Sequence, residues 1–456
     1  MKHVRFLIVG AGPTGLGAAW RLKELGERDF LVLDASPEAG GLSRSFRDER
    51  GFTWDIGGHV LFSHYPYFDA VVNTSVGESG WYHHQREAWA RLFGAWVPYP
   101  VQNNLRYLPR EVLVKCVQGL VRELQRRDAP PPKDFREWID ATFGEGLAEV
   151  FMRPYNFKVW AFPPEQLSWS WISERVAVTD LSRVLSNVLL EKDDVSWGPN
   201  NTFQFPKEGG SGSVWKAVAQ RIGHEHFRFG SQVTSVDSAH RVVRARGGDE
   251  YTYDALISTM PVDRLLALET QRDEAALAAA NGLLHSSTSV VGLGVSGRAP
   301  ASMSKKCWLY FSEANTPFYR ATVFSNYSPA HVPDATQFWS LMTETSESPR
   351  KPVNAATLVA GTIEGAIATG LLTSREEVAS VWTHRVEYGY PTPSIDRDAR
   401  LAAIQPGLEA RDVYSRGRFG AWKYEVSNQD HSLMQGVEVI NRLVRNEPET
   451  TVTGRT

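Results

Sequence analysis

Three glycines near the start of the chain have the spacing of a loop that binds the diphosphate of a dinucleotide. Gly10, Gly12 and Gly15 follow a short apolar run and open a segment with helical periodicity. The first allows a tight turn, the second lets the backbone approach a pyrophosphate, and the third lets the helix pack closely on the strand. A second apolar run ends at Asp34, whose carboxylate can accept hydrogen bonds from ribose hydroxyls. The order of strand, glycine turn, helix, strand and acid predicts a dinucleotide site, the alternative being a glycine turn in another α/β fold.

The residues after Asp34 indicate which dinucleotide binds. Gly40, Gly41 and Leu42 follow a short polar turn. In flavoproteins a glycine pair at this place lets the chain wrap the diphosphate of FAD, because glycine leaves room for a close backbone approach. The pair favours FAD over NAD, and an ordinary loop is the alternative.

A second glycine pair precedes a histidine that could take part in the chemistry. Gly57 and Gly58 lie before His59 in an extended apolar segment, which predicts a backbone very close to a planar ligand. His59 could donate a proton or lie beside the flavin, and a hydrogen-bonded core histidine fits the pattern equally well. His59 and His64 lack the helical i, i+4 spacing of metal ligands, and the pairs His83 and His84, and His224 and His226, have no frame of cysteines or carboxylates, so we predict no metal.

Composition restricts the class of protein. The 456 residues exceed one ordinary core, so two or three domains are expected. With 42% hydrophobic and 22% charged residues the chain is globular, and a net charge of -3 without a basic run argues against nucleic-acid binding. Cys116 and Cys307 form no disulfide framework, which favours a cytoplasmic protein. The weakly apolar stretch 355–373 contains Glu364, and it predicts a soluble helix rather than a membrane span.

Periodicity outlines the elements that must position these residues. Helical periods dominate 105–191, and alternating strands rich in aromatic and β-branched residues dominate 283–390. The predicted fold class is α/β, with a Rossmann-like FAD-binding domain, an inserted helical domain and a substrate domain built on a mixed or antiparallel β-sheet. The boundaries are 1–95, 200–275 and 412–447 for the discontinuous FAD-binding domain, 96–199 for the helical substrate and interaction domain with mobile loops, 276–411 for the sheet domain and 448–456 for a disordered tail.

Longer motifs carry a resemblance that extends from Gly10 to about Val444. The clearest are GGHVLFSHYPYFD from Gly57, FMRPYNFKVWA from Phe151, WGPNNTFQFP from Trp197, PFYRATVFSNYSP from Pro317 and SRGRFGAWKYEVSNQDHS from Ser415. In these motifs the chain resembles the UDP-galactopyranose mutases, and their eukaryotic branch, with fungal and kinetoplastid members, more than the usual bacterial branch. The chain departs from fungal members at Val101, where they carry an aromatic residue, and this leaves the fit of the base open. The segment after Pro329 is shorter than the fungal one and the C-terminal tail is trimmed, which leaves the oligomeric state open.

The resemblance implies an isomerase that interconverts UDP-galactopyranose and UDP-galactofuranose with no net redox change. Reduced FAD would supply its N5 atom as the nucleophile at the anomeric carbon, while arginines hold the diphosphate leaving group. The resemblance also implies NADPH as the reductant, with Arg91 as a contact for the 2′-phosphate. The alternatives are the same ring contraction on another nucleotide sugar, or a flavin amine oxidase or desaturase with an apolar substrate pocket.

The resemblance assigns candidate residues to three groups. The catalytic candidates are His59, Arg175 and Arg320. The substrate candidates are Tyr99, Gln102, Phe151, Asn156, Trp160, Asn200, Trp308, Tyr310, Tyr327, Tyr390 and Tyr424. The FAD candidates are Gly10, Gly12, Thr14, Gly15, Asp34, Gly41, Leu42, Gly58, Val233, Arg418, Asn428, Gln429 and Ser432. Lone arginines are more often surface ion pairs and aromatic stripes are more often core, which is the alternative for these residues.

Overall fold

The computed structural model of the chain describes residues 1–126, 130–172, 176–178, 180–195, 198 and 201–453. The strands in these residues are β1 Lys2–Val9, β2 Phe30–Leu33, β3 Ser45–Arg47, β4 Thr53–Asp55, β5 Trp81–Gln85, β6 Ala88–Leu92, β7 Ala95–Pro98, β8 Thr202–Pro206, β9 Phe227–Arg228, β10 Val233–Asp237, β11 Val242–Ala245, β12 Glu250–Ser258, β13 His285–Ser296, β14 Trp308–Phe311, β15 Arg320–Val323, β16 Phe338–Glu347, β17 Val378–Pro391 and β18 Val413–Ser415. The α-helices are α1 Pro13–Glu24, α2 Pro66–Val76, α3 Arg110–Gln125, α4 Phe135–Leu147, α5 Arg153–Trp160, α6 Leu181–Leu189, α7 Gly210–Ile222, α8 Val262–Leu268, α9 Glu274–Asn281, α10 Ala355–Ala368, α11 Arg397–Glu409 and α12 Gln429–Arg445.

The first sheet has the strand of the glycine fingerprint near its centre. Its order is β10-β11-β12-β1-β2-β9, β18 also pairs with β12, and β1 is parallel to both β2 and β12. Alternate side chains of β1 enter two cores. Phe6 and Ile8 share a core with side chains of α1, α7 and α12, whereas Leu7 and Val9 share a core with side chains of α8, α9 and α11. Helices therefore cover both faces of the sheet, as a continuously apolar parallel strand requires.

The second sheet confirms the strand-rich region expected between 283 and 390. Its order is β17-β13-β16-β15-β14-β6-β7, and neighbouring strands are antiparallel except for the parallel pair β14 and β6. The hairpin of β6 and β7 comes from much earlier in the chain than its neighbours. The predicted boundary between residues 95 and 96 consequently falls inside β7.

The helical segment between the two predicted domains forms α3 to α6. Asp134 caps α4 by accepting from Glu137 N at 2.9 Å, and Asp180 caps α6 by accepting from Arg183 N at 2.7 Å. A Cβ on Gly144, which has a φ of +68°, would lie 2.3 Å from the backbone of α3. Glycine there lets α3 and α4 touch, and the chain continues through a π-helical turn, Ala148–Met152, into α5.

Two regions lie elsewhere than the predicted boundaries suggest. α11 falls in the predicted sheet domain, but Leu401 and Leu408 share the core of the first sheet. Residues 448–456 were expected to be disordered, yet within the described part of this tail Glu449 is 8% exposed and Thr451 is 0% exposed. The partners of these two side chains lie elsewhere in the sequence, so the tail's own polar residues gave no sign of burial.

The apolar stretch 355–373 forms α10 and a following turn. Among the described residues, none of the helices combines the length and the apolar character needed to cross a lipid bilayer.

Candidate active site

A cavity of about 1010 Å³ is lined by residues from both sheets and from the helical segment. Its volume is at the upper end of the roughly 300–1,000 Å³ found for ligand sites, so it has room for a dinucleotide and a second ligand. The part we name the dinucleotide end includes Gly10, Gly12, Asp34, Gly41 and Val233. The part we name the substrate end includes Tyr99, Tyr155, Trp160, Tyr310, Arg320 and Tyr390.

The dinucleotide end lies at the carboxyl ends of parallel strands. Gly10, Asp34 and Thr259 directly follow β1, β2 and β12, and all three line the cavity. Ligands of open α/β sheets bind at this edge. Two amides fix the Asp34 carboxylate, because Ala11 N donates to Oδ2 at 2.6 Å and Ser36 N donates to Oδ1 at 2.7 Å. The oxygens retain lone pairs with which to accept from ribose hydroxyls.

The glycines of the dinucleotide end leave space that fits a diphosphate. A Cβ on Gly41 would lie 3.1 Å from Gly12 Cα, and a Cβ on Gly12 would lie 3.7 Å from Gly41 Cα. The two backbones therefore meet without side chains where α1 begins, and no side chain caps this helix. Its first amides and the positive end of its dipole remain for an anion. Gly15 has a packing role, because its Cβ would lie 1.8 Å from Gly10 O.

A second helix start also lines the cavity. α12 begins at Gln429, its N-cap residue Asn428 forms no side-chain cap bond, and both residues line the cavity together with Ser432. Gln429 Nε2 donates to Val60 O at 3.4 Å, which ties the helix to the loop that carries His59. The start of α12 therefore offers amides and a favourable dipole to negative charge on a bound ligand.

His59 is a neutral group that faces the cavity. Its Nδ1 atom is buried and has no hydrogen-bond partner in the described residues. A buried polar atom normally has a partner, so this orphan fits a ligand that would supply one. Burial lowers the pKa of His59 to about 4, Glu344 opposes this shift, and the cations Arg418 and Arg320 add to it. At pH 7 the ring therefore offers one N–H and one lone pair, without charge.

An ion pair organises the substrate end. Arg320 Nε donates to Glu344 Oε1 at 2.7 Å and its Nη2 donates to Oε2 at 2.8 Å. The same carboxylate accepts from Gly58 N at 2.9 Å and from Tyr319 OH at 2.8 Å. Burial alone would raise the pKa of Glu344, but Arg320 and these hydrogen bonds hold it below its usual value. One charged group, 3% exposed, thus anchors both the guanidinium and the glycine loop.

Aromatic side chains form the walls of the substrate end. The ring centres of Tyr99 and Tyr310 are 4.9 Å apart, and Tyr424 lies 4.8 Å from Trp160 and 5.8 Å from Tyr390. Burial raises the pKa of Tyr99, Tyr310 and Tyr390, so their hydroxyls remain protonated at neutral pH. Such hydroxyls can donate to a diphosphate or a sugar while the rings exclude water.

Comparison with known proteins decides the family. Residues 13–346 match the family described as flavin containing amine oxidoreductase. A solved structure of a reduced UDP-galactopyranose mutase is 48% identical, with a TM-score of 0.96, and the match covers 99% of this chain and 96% of that chain. The chain belongs to the UDP-galactopyranose mutase family. The FAD-type fold expected from the glycine fingerprint and the α/β architecture is thereby confirmed.

More distant relatives share the fold alone with this mutase-family chain. A fatty acid isomerase from P. acnes and a putrescine oxidase are each 14% identical, with TM-scores of 0.65 and 0.64, and each match covers 97% of this chain and 99% of the other. A 15-cis-phytoene desaturase from Glycine max is 34% identical over 80 residues, which is 18% of this chain. The chain spans only 13% of the length of that curated relative.

Most residues predicted from the mutase family line the one cavity. These are His59, Arg320, Tyr99, Gln102, Phe151, Asn156, Trp160, Trp308, Tyr310, Tyr390, Tyr424, Gly10, Gly12, Thr14, Asp34, Gly41, Leu42, Gly58, Val233, Arg418, Asn428, Gln429 and Ser432. Tyr327 does not line it, because its ring is buried among Phe203, Phe205 and other apolar side chains. Arg175 and Asn200 lie outside the described residues.

Two arginines near the β6–β7 hairpin differ in position. Arg91 does not line the cavity; its guanidinium lies 5.3 Å from the ring centre of Trp96 and donates to Gly94 O. Arg86 is 7% exposed and does line the cavity, 5.9 Å from the ring centre of Tyr99. The cation that the cavity gains from this region is therefore Arg86, which the sequence analysis did not single out.

Three further lining residues were missed from the sequence. Tyr155 stacks on Phe151 at 5.2 Å, and the spacing of four residues on a helix could have indicated it. Tyr319 precedes Arg320 and contacts its partner Glu344. Glu344 had no local signal, because its partners come from other strands and from the Gly58 loop.

A hydrogen-bonded triad borders the cavity where α12 starts. His64, Asp430 and His431 are the group of potential metal ligands found among the described residues. His64 Nδ1 lies 2.7 Å from one oxygen of Asp430, and His431 Nδ1 lies 3.1 Å from the other. The carboxylate thus bridges the two imidazoles through their Nδ1 atoms.

Proposed function

We propose that this chain interconverts UDP-galactopyranose and UDP-galactofuranose, with FAD held in the reduced state and with no net redox change. The match to a UDP-galactopyranose mutase along 99% of the chain supports this reaction. The observation that carries it in the site is the fork of Arg320, which is held by Glu344 in a cavity with room for FAD and a nucleotide sugar. Nε and one hydrogen of Nη2 are bound to Glu344, so the N–H groups of the Nη1 edge remain to donate to the oxygens of a diphosphate.

The residues at the dinucleotide end fit FAD, and they leave the chemistry to it. When bound and reduced, FAD supplies the nucleophile that attacks the anomeric carbon. The glycines at 12 and 41 admit the diphosphate, and Asp34 accepts from the ribose. The start of α12 offers its dipole to the negative charge of the reduced ring. Neutral His59 adds a hydrogen-bonding group without a charge that would compete for the diphosphate.

The residues of the substrate end hold the UDP leaving group and keep it close to the sugar. When the bond between the sugar and the diphosphate breaks, negative charge grows on the diphosphate, and Arg320 stabilises that charge. Tyr390 and Tyr424 line the same part of the cavity and can donate hydrogen bonds. Because Arg320 would keep the UDP bound, a phosphate oxygen could return to the anomeric carbon after the sugar ring has reclosed, and the bond to the FAD nucleophile would break as the bond to UDP re-forms. From the family resemblance we propose that Arg175 is the second diphosphate arginine and that Asn200 also contacts the substrate.

We also propose NADPH as the reductant, and a cytoplasmic location. The two buried free cysteines, Cys116 and Cys307, suit a reducing compartment. The NADPH proposal rests on the family resemblance rather than on Arg91, which lies outside the cavity lining. Anaerobic stopped-flow mixing with NADPH or NADH measures bleaching of the flavin absorbance. Equal rates with the two nucleotides would contradict a 2′-phosphate contact.

The mutase reaction is tested by anaerobic turnover. The purified yellow protein is reduced with dithionite and incubated with UDP-galactofuranose, and the products are separated by chromatography. We expect UDP-galactopyranose from reduced enzyme only, and loss of most activity in Arg320→Ala and Arg175→Ala. Without conversion, but with bound and reducible FAD, the assigned sugar would be wrong. Other nucleotide sugars in the same assay then identify a mutase with a different substrate.

A further inference from the structure

Residues 447–453, which we name the strap, run back over the elements that line the dinucleotide end. Glu449 and Thr451 are buried, although the segment EPETTVT is polar. The strap makes two separate groups of contacts. One group reaches the turn that carries Arg418, and the other reaches the helix whose start lines the cavity. Both groups of contacts therefore reach elements that line the dinucleotide end of the cavity.

The first group of contacts centres on Arg416. Its Nε donates to Glu449 Oε2 at 2.5 Å and its Nη2 donates to Glu449 Oε1 at 2.7 Å. Arg442 of α12 donates to the same Oε1 at 2.9 Å, and Glu409 of α11 accepts from both arginines. Arg416 is 3% exposed, so this bidentate pair is largely removed from water. Lys423 Nζ adds a bond to Val452 O at 3.0 Å.

The two residues after Arg416 connect it to the cavity, because Gly417 packs against Thr14, which lines the cavity, and Arg418 lines it directly. Gly417 has a φ of +87°, and a Cβ there would lie 2.5 Å from Oγ1 of Thr14, a lining residue at the start of α1. Gly417 N also donates to Gln435 Oε1 of α12 at 2.7 Å. Arg418 lines the cavity, and its Nη2 donates to Gly389 O at 2.9 Å. A shift of Arg416 would therefore move both a diphosphate-facing helix start and a cavity arginine.

The second group of contacts centres on Glu438 of α12. Its Oε2 accepts from Thr450 N at 3.0 Å and from Thr451 N at 2.9 Å, while its Oε1 accepts from the two threonine hydroxyls at 3.0 and 2.8 Å. Thr451 Oγ1 also lies 3.1 Å from Tyr65 OH, six residues beyond His59. Four hydrogen bonds to one carboxylate hold the strap in a single position.

We propose that the strap positions the FAD-binding turn 416–418, with Glu449 and Glu438 as the positioning residues. Glu449 holds Arg416 by a bidentate ion pair. Glu438 binds the strap and so keeps Glu449 within reach of Arg416. Neither glutamate lines the cavity, so they act through Gly417 and Arg418. This inference rests on the FAD binding that forms part of the proposed function, and it does not depend on which sugar is converted.

The experiment measures FAD affinity in the full chain. Apoprotein of each variant is titrated with FAD, and quenching of the flavin fluorescence gives Kd. We expect Glu449→Gln and Glu438→Gln each to raise Kd about tenfold. Glu447→Gln is the matched control, because Glu447 belongs to the same segment but its carboxylate pairs with the exposed Arg445, at 2.7 Å. The visible circular dichroism of bound FAD reports its orientation in each variant.

The design separates positioning from general stability. The Tm of each apoprotein is measured beside Kd, and Glu449→Asp tests rescue by a shorter carboxylate. A rise in Kd with a changed flavin dichroism, partly restored by Glu449→Asp, supports the strap. If Tm falls while Kd and dichroism match those of Glu447→Gln, the strap only stabilises the fold and the inference is overturned. Should Glu449→Gln fail to fold, Glu438→Gln decides by the same readouts. Loss of mutase turnover with normal Kd would concern the proposed function, not the strap.

Discussion

Replacement of Glu344 by glutamine tests how the cavity prepares Arg320 for a diphosphate. The amide keeps the shape of the carboxylate but loses its charge. With its oxygen in the place of Oε1, Gln would still accept from Gly58 N and Arg320 Nε, which are bound there at 2.9 and 2.7 Å. Its NH₂ group would then face Arg320 Nη2, donor against donor. Tyr319 could rotate its hydroxyl and accept, so the loss is concentrated on Arg320.

The size of the effect follows from burial. Removing one partner of a buried ion pair costs about 3–5 kcal/mol. The Arg320 side chain is 19% exposed, so water in the cavity recovers part of this cost, and we expect about 3 kcal/mol. With roughly 1.4 kcal/mol for each factor of ten, kcat/KM falls about 10²-fold if the loss appears in the transition state.

The assay is anaerobic turnover of UDP-galactofuranose by the reduced enzyme, together with calorimetric titration of UDP. Glu347→Gln is the matched control, because Glu347 is on the same strand and pairs with Arg385 at 2.9 Å near the surface. An exposed pair contributes only about 0–1 kcal/mol, so the control retains nearly full activity. If Glu344→Gln keeps its kcat/KM and binds UDP more tightly, the reasoning is refuted. Glu344 would then only compete with the diphosphate for Arg320.

Three further predictions follow from the packing. Gly12→Ala should fold, because its Cβ would lie 3.7 Å from Gly41 Cα, but it should bind FAD more weakly. Gly15→Ala should fold poorly, because its Cβ would lie 1.8 Å from Gly10 O. Equal FAD affinity of Gly12→Ala and wild type would contradict a diphosphate placed between Gly12 and Gly41. Lys158→Met should raise KM about tenfold with a smaller change in kcat. The reason is that Lys158 Nζ donates to three oxygens at 2.8–2.9 Å and so holds α5 on the loop before β15. Lys115→Met is the control, because Lys115 forms an exposed ion pair with Glu149. Burial lowers the pKa of His331 to about 4, so the unfolded chain binds more protons between pH 4 and 6.5 and stability rises with pH through that window. The free energy of unfolding in urea should therefore lose up to about 3 kcal/mol from this group on acidification from pH 7 to 4, and His331→Phe should remove that part of the pH dependence.

Local patterns predicted the dinucleotide end, whereas the anchor of the substrate end depends on distant contacts. The strand, glycine turn, helix and acid between Gly10 and Asp34 form within one short segment, so spacing alone predicts them. Glu344 binds the amide of Gly58, 286 residues earlier in the chain. No periodicity in β16 distinguishes this glutamate from a solvent-facing one. A pattern within a short sequence segment cannot indicate a partner that lies far away in the sequence.

The same limit explains the differences in domain boundaries. β6 pairs with β14 in parallel, although more than 200 residues separate them, and its alternating sequence fits either sheet. The tail 448–456, which includes most of the strap, was expected to be disordered. Its ordered position comes from Arg416, which donates to the Glu449 carboxylate, and from Glu438, which accepts from the strap's threonines. Polarity indicates disorder only when no buried partner exists.

Fixed charges surround His59 in the cavity. Burial is the main cause that lowers the pKa of His59; Glu344, which is bound to Arg320, opposes the shift, and Arg418 and Arg320 add to it. The cavity therefore contains fixed cations beside a neutral imidazole, which is the arrangement that an anionic diphosphate requires throughout the reaction. Relatives of the same fold at 14% identity include a fatty acid isomerase and a putrescine oxidase, so the fold does not choose the substrate. We expect Arg320, which Glu344 holds in the cavity lining, to contribute to that choice.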